Sequence, residues 1–338
     1  MVKNVTTPKN ISQTGSWQKA VAAYQTPQTW RSWWQVINTF VPFFILMVLM
    51  VLSLEVSYWL TLLLAVPAAG FFTRIFIIFH DCGHGSFFKS KRANDTLGYI
   101  TGILTMTPYH RWRHDHAMHH ASVGDLDRRG VGDIMTLTVK EYQGKSTWGR
   151  LVYRVTRHPL ALFTVGPLGL FLINNRFSTR TSGKRERHSV YWTNLALLIV
   201  VLLMSVTIGL KAFVLVMLPI LVIGTTAGVW LFYVQHQFEG VYWERHERWD
   251  YLYAALKGSS YYKLPRILQW FTGNIGFHHI HHVSPRIPNY YLERCHRENP
   301  MFQEVRTLTL LSSLKCMFLS LWDEDERELV SFGDLRKA

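Results

Sequence analysis

Four uncharged, strongly apolar runs constrain this 338-residue chain more than any other feature: residues 36–54, 56–73, 189–210 and 212–235 contain no Asp, Glu, Lys or Arg. A helix needs about 20 apolar residues to cross the ~30 Å hydrocarbon layer, and lipid offers no water to satisfy exposed backbone groups, so a helix is the form such a run takes. The runs come in pairs broken by a single charge, Glu55 in the first and Lys211 in the second, which predicts two transmembrane hairpins. Mean hydropathy over the whole chain, +0.06, conceals them because the remaining segments are polar. The expected fold is an all-α integral membrane protein of one domain. Its transmembrane helices fall at about 36–54, 57–79, 189–210 and 212–235, under a helical cap built from 80–188 and 236–338.

Charge gives the orientation. Lys3, Lys9, Lys19 and Arg31 precede the first run, and Arg176, Arg180, Lys184, Arg185 and Arg187 precede the third. Positive loops stay in the cytoplasm, so both termini and the cap are expected there. The formal charge of +14 then suits a surface beside anionic headgroups; with four apolar runs present, a nucleic-acid partner is not expected. The first 35 residues are polar and show no cleavable signal, so insertion by the first helix is expected. Within them, 17–34 reads as an amphipathic stretch whose Trp30, Trp33 and Trp34 suit the headgroup level. Three cysteines without a framework fit reducing surroundings.

Histidine is the second constraint. The stretch His110-Arg-Trp-Arg-His-Asp-His-Ala-Met-His-His120 holds five of the sixteen histidines. On a helix His116, His119 and His120 stand at i, i+3 and i+4 and share a face, while His114 falls nearly opposite and His110 about a third of a turn away. His80 and His84, in His-Asp-Cys-Gly-His, are i, i+4; His278, His281 and His282 are again i, i+3, i+4. One histidine is ordinarily a surface or satisfied core residue. Three one-faced groups differ, because crowded imidazoles repel once protonated, and cations that need their lone pairs keep them together. Eight imidazoles exceed one four-coordinate zinc, and a closed zinc site ordinarily recruits thiolates, whereas Cys82, Cys295 and Cys316 form no Cys-x-x-Cys pair. Two metals with about four ligands each is the economical arrangement.

Position in the chain supports this. A helix continued past Arg74, itself expected to snorkel to the cytoplasmic interface, carries His80 and His84 just above the bilayer. His236 emerges in the same way from the fourth run. Two shorter apolar runs, 97–106 and 159–173, are expected to be interfacial or re-entrant, since a single crossing by either would put histidine groups on opposite sides. In the Gly- and Asp-rich segment 124–133, one of Asp125, Asp127 and Asp133 is expected to accept the free N–H of a ligating imidazole, with Asp127 the named candidate. Asn274, four residues before His278, is the second such candidate. His279, about 100° from His278, is expected to be structural. The acidic tail 323–328 reads as a solvated face. A histidine-based metal transporter or sensor is disfavoured, because a transporter carries ionisable groups through the bilayer midplane and these runs have almost none.

The motifs His80-Asp-Cys-Gly-His84, His116-Ala-Met-His-His120 and His278-His-Ile-His-His282, set around two hairpins, resemble the three histidine boxes of membrane-bound fatty acid desaturases. The segments around Thr73 to Cys82 and Gly228 to His236 look most similar to Bacillus-type Δ5 acyl-lipid desaturases. The resemblance implies a di-iron centre held by His80, His84, His116, His119, His120, His278, His281 and His282, with His236 as an additional ligand. It also implies O2 as co-substrate, the acyl chain of a membrane phospholipid as substrate, a cis double bond as product, and a bacterial cell membrane as location. Acyl-CoA relatives place Asn four residues before the additional histidine; this chain has Phe232 there, which gives no anchor for an iron-bound water. They also have four intervening residues in the first box where this chain has three, which favours a lipid-linked substrate. With no His-Pro-Gly-Gly segment of the cytochrome b5 kind, the expected electron donor is a separate ferredoxin or flavodoxin. The alternative within enzymes is a di-iron hydroxylase or ketolase acting on another lipid such as a carotenoid. Either chemistry attacks an unactivated C–H bond and so demands a redox metal.

Overall fold

A computed structural model describes residues 16–179 and 182–336; Lys3, Lys9, Arg180 and both chain ends, on which part of the orientation argument rests, lie outside the described residues. After a short helix α1 (Ser16–Ala22), α2 (Thr29–Ser53) and α3 (Tyr58–His84) form the first hairpin. Four helices of the described residues are long and apolar enough to cross a membrane, as the sequence predicts. Residues 17–34 are not one helix: the chain breaks after Ala22, ahead of Pro27, and α2 begins at Thr29. Trp30, Trp33 and Trp34 are exposed near the start of α2.

The Ser57 side chain caps α3 by accepting from the Trp59 N–H, and Gly85 ends it in the left-handed region at φ 68°, where a side chain would be strained. Between those caps the helix runs unbroken through the first histidine pair. Two cap helices follow, α4 (Lys91–Leu104) and α5 (Tyr109–Ser122). Then come α6 (Val139–Gln143), α7 (Thr147–Thr156) and α8 (Gly166–Leu172). α7 and the helical stretch Ala161–Arg176 meet at a 60° bend, the geometry of a re-entrant loop or of a broken span.

The second hairpin is α9 (Lys184–Thr207) and α10 (Leu210–His236). Its first helix starts before the apolar run, since hydropathy marks the lipid layer and not the helix end. α3 is the inner helix and α9 the outer: 56% of the most apolar window is buried in α3 against 11% in α9. α3 packs on α2 and α10 through Ala65, Ala68, Ala69 and Phe72 against Val216, Ile220 and Leu221. Small residues bring helix backbones close where lipid gives no hydrophobic incentive to associate.

The cap closes with α11 (Tyr251–Lys257), α12 (Arg266–Phe271), α13 (His278–Val283) and α14 (Asn289–Glu298). It is not wholly helical. Leu137–Thr138 pairs in parallel with Leu321–Asp323, which pairs antiparallel with Glu328–Val330; Tyr261–Tyr262 pairs in parallel with Thr307–Leu308. The acidic tail is therefore a hairpin turn: the Asp323 carboxylate accepts the Asp325 and Glu326 N–H groups, Glu324 pairs with Arg245, and Asp325 with Lys140.

Arg74 departs from its expected snorkelling. It is buried, with Nε donating to the Thr39 hydroxyl at 3.1 Å, a guanidinium N–H donating to the Trp270 carbonyl, and its Cζ 3.9 Å from the Trp270 ring centroid. A charge in this layer is costly unless satisfied, and Thr39 of α2 and Trp270 of the cap provide the partners. The arginine thus fastens α3 to the cap.

Candidate metal centre

All nine histidines singled out as ligands converge, in two groups. His80, His84, His116, His120 and His281 form one; His119, His236, His278 and His282 form the other; within each, one nitrogen per ring lies within 4.8 Å of all the others. Local helix geometry makes the pairs: α3 supplies His80 and His84, α5 supplies His116 and His120, and α13 supplies His278 and His282, each at i, i+4. The i+3 members, His119 and His281, cross over so that α5 and α13 each serve both groups.

Hydrogen bonding shows what the groups can hold. His236 Nε2 lies 3.2 Å from His119 Nε2 and 2.9 Å from His278 Nε2, which is 3.2 Å from His282 Nε2. A neutral imidazole has one N–H and one lone pair. His236 directs Nδ1 to the Gly258 carbonyl at 3.2 Å, and His119 directs Nδ1 to the Asp133 carboxylate. Their protons point outward, so two bare lone pairs face each other inside. In the other group His80 Nδ1 meets Asp81 Oδ1 at 3.2 Å, His116 and His120 bring their Nε2 atoms within 3.1 Å, and Nε2 of both His84 and His281 is buried without a partner. Nitrogens held at ~2.1 Å from a first-row metal stand about 3.0–3.4 Å apart, so the spacing suits a cation in each group. An all-imidazole set suits iron among other borderline metals.

Burial, and after it the neighbouring imidazoles, holds His116, His120, His278, His281 and His282 well below the ordinary histidine value. These rings stay neutral near pH 7, the form that binds a metal.

The outer contacts partly differ from expectation. Asp127 does not touch the centre: it accepts from Arg245 and from the His246 backbone N–H, because the turn around Asp125 aims it at the loop after α10. Asp133 takes that role instead. Asn274 is also displaced from the metal-facing role. It sits in a left-handed turn at φ 58° ahead of α13, so helical spacing does not apply, and its amide bonds Gln269 and the Asn289 carbonyl. His114 is exposed, His110 is buried against Tyr99, and His279 turns away to His296 at 3.0 Å, all as expected.

Asp81 and Asn289 escaped the sequence reading. Asp81 Oδ2 accepts both the backbone N–H and the side-chain amide of Asn289, at 2.8 and 2.9 Å, and Asn289 exchanges hydrogen bonds with Gln35. A buried chain thus runs from α2 through α14 to His80. Adjacency of Asp81 to a ligand was the available signal; nothing in the sequence marks Asn289. Trp112 stacks on His116 at 4.3 Å, in space left by Gly83, where a Cβ would lie 2.8 Å from the Trp112 ring.

A cavity of about 610 Å³ reaches both groups, touching His80 and His116 of the larger and His278 of the smaller. Its walls are mainly apolar, including Phe76, Leu170 and Phe171, with Gly224, Gly228 and Phe232 of α10. A size within about 300–1,000 Å³ and such a lining are typical of small-molecule sites. Two imidazole groups at the end of an apolar cavity, where four membrane helices enter a polar cap, can present an oxidising metal pair to a hydrocarbon chain.

Comparison with known proteins agrees. Residues 57–308 match the fatty acid desaturase family model. The chain belongs to the fatty acid desaturase family. It is 52% identical to a fatty acid desaturase of Bacillus subtilis (strain 168) over 318 residues, covering 94% of this chain and 90% of that one. It is 27% identical to the sn-1 oleoyl-lipid 12-desaturase of Synechocystis over 243 residues, covering 66% and 64% of the two chains. The sn-1 acyl-lipid omega-3 desaturase (ferredoxin) of the same organism is also 27% identical, over 236 residues that cover 66% and 62% of the two chains. The protein is a membrane-bound desaturase, hence an oxidoreductase, and its two histidine groups could each hold a metal ion.

Proposed function

We propose that the protein inserts a cis double bond, at the Δ5 position, into an acyl chain of a membrane phospholipid, with its cap and both termini on the cytoplasmic side of a bacterial cell membrane. The observation that carries this is the apolar cavity of about 610 Å³ ending on both imidazole groups. In this reading His80, His84, His116, His120 and His281 hold one iron, and His119, His236, His278 and His282 the other. Irons held there would supply the redox chemistry by which O2, two electrons and two protons convert two adjacent methylenes to an alkene with release of two waters.

The residues of the chain do the positioning. Asp81, Asp133 and the Gly258 carbonyl orient ligating rings from outside, and apolar walls hold the acyl chain so that one C–C bond lies at the metals. Resemblance to Bacillus-type enzymes supports the phospholipid substrate and the Δ5 position; the name of the Synechocystis ferredoxin-dependent relative supports a ferredoxin, or the similarly small flavodoxin, as electron donor.

Expression in cells lacking the activity, followed by gas chromatography and mass spectrometry of derivatised lipids, tests the reading. A new unsaturated acyl chain that disappears in His119→Ala is expected; lipid profiles unchanged by the unsubstituted protein overturn it, and a hydroxylated or keto product would point to the alternative chemistry.

A further inference from the structure

Of two glycines one turn apart on α10, only one permits close helix packing. A Cβ at Gly224 would lie 2.6 Å from the Phe72 ring, so that position is fixed by the contact of α10 with α3. A Cβ at Gly228 would meet nothing within 4 Å, although the residue lines the large cavity. Glycine inside a helix is less favourable than alanine. Gly228 is not among the residues with positive φ, and no neighbour crowds it. What its missing side chain leaves is room in the cavity.

Gly228, Phe232 and His236 stand at i, i+4 and i+8 on one face of α10, a strip about 12 Å long at ~1.5 Å per residue. The strip passes from an imidazole to an aromatic ring and then to bare backbone. Phe232 lies 5.1 Å from both the His119 and His236 rings and walls the cavity beside the smaller histidine group. Beyond it, at Gly228, the wall recedes.

We propose that Gly228 is a specificity-determining residue: its bare backbone admits the part of the acyl chain beyond the reacting carbons, and so sets which C–C bond lies at the histidine groups. The inference rests on the reading of the cavity as the acyl site. A Cβ at this position takes up cavity volume without striking the protein, and a chain held at a shifted depth presents a different bond.

The test is the series Gly228→Ala, Gly228→Val and Gly228→Leu in the full-length protein, expressed in the same cells, with double-bond position and chain length read by mass spectrometry and metal content measured on purified protein. The ratio of positional or chain-length products should shift progressively with side-chain size, by about tenfold or more for leucine, at the metal content of the unsubstituted protein. An unchanged ratio across the series, or an equal fall in every product, overturns the proposal. If valine or leucine costs metal, the alanine variant decides by the same criterion. Failure of the acyl-chain reading is separately visible, as absence of any new unsaturation with the unsubstituted protein.

Discussion

The two histidine groups reach the same end by different routes. Four of the five rings in the larger are i, i+4 pairs on single helices, His80 with His84 and His116 with His120. The smaller has one such pair, His278 with His282, and receives His119 and His236 singly. Both single rings are held from behind, His119 by Asp133 and His236 by the Gly258 carbonyl. Helix geometry orients paired ligands at no extra cost, whereas a ligand arriving alone depends on whatever grips its other nitrogen.

The sharpest way to break this comparison is to remove one ring from each group. His236→Ala leaves three imidazoles in the smaller group and is expected to lose about one metal per chain and all product; His84→Ala leaves four and should retain more metal. Elemental analysis of the purified variants checks both, and equal losses would erase the distinction.

Acid acts on both groups at once. His116, His120, His278, His281 and His282 are held well below their ordinary value of 6.5, chiefly by burial. The unfolded chain therefore binds more protons than the folded one as pH falls past 6.5, so the stability these neutral rings contribute is complete above that pH and is lost below it. Thermal unfolding of the iron-stripped protein in detergent should show a midpoint steady above about pH 6.5 and falling steeply below it. A midpoint level down to pH 5 would contradict the burial argument.

Smaller effects separate orientation from ligation. Asp133→Ala should weaken metal binding in the smaller group by about 10–100-fold while the larger keeps its metal, a difference that competition with a chelator can read. Gly83→Ala presses on Trp112 behind His116 and should lower stability by about 1–3 kcal/mol without removing a ligand. Denaturation of the variant in detergent checks it, and an unchanged midpoint would mean Trp112 yields freely.

Much of the centre was legible because its signal is periodic. Three helices present histidines at i, i+4, a pattern that survives any arrangement of those helices, and His236 gave itself away by its place at the end of an apolar run. Asp127 failed as a candidate because a turn has no fixed period from which to infer direction. Asn274 failed because a helical count was applied to a left-handed turn. Asp81 and Asn289 meet across 208 residues of sequence, a distance over which no local rule operates.

By itself the sequence determined the four membrane-length helices and which nine histidines converge, since lipid dictates helix length and helix pitch dictates which side chains share a face. Tertiary structure alone decided how those histidines divide between two groups, that Arg74 is gripped by a cap carbonyl, and that Gly224 is crowded by Phe72 while Gly228, on the same cavity, meets open space. These depend on which distant surfaces meet, and such meetings follow from packing complementarity over the whole chain, which no local pattern encodes.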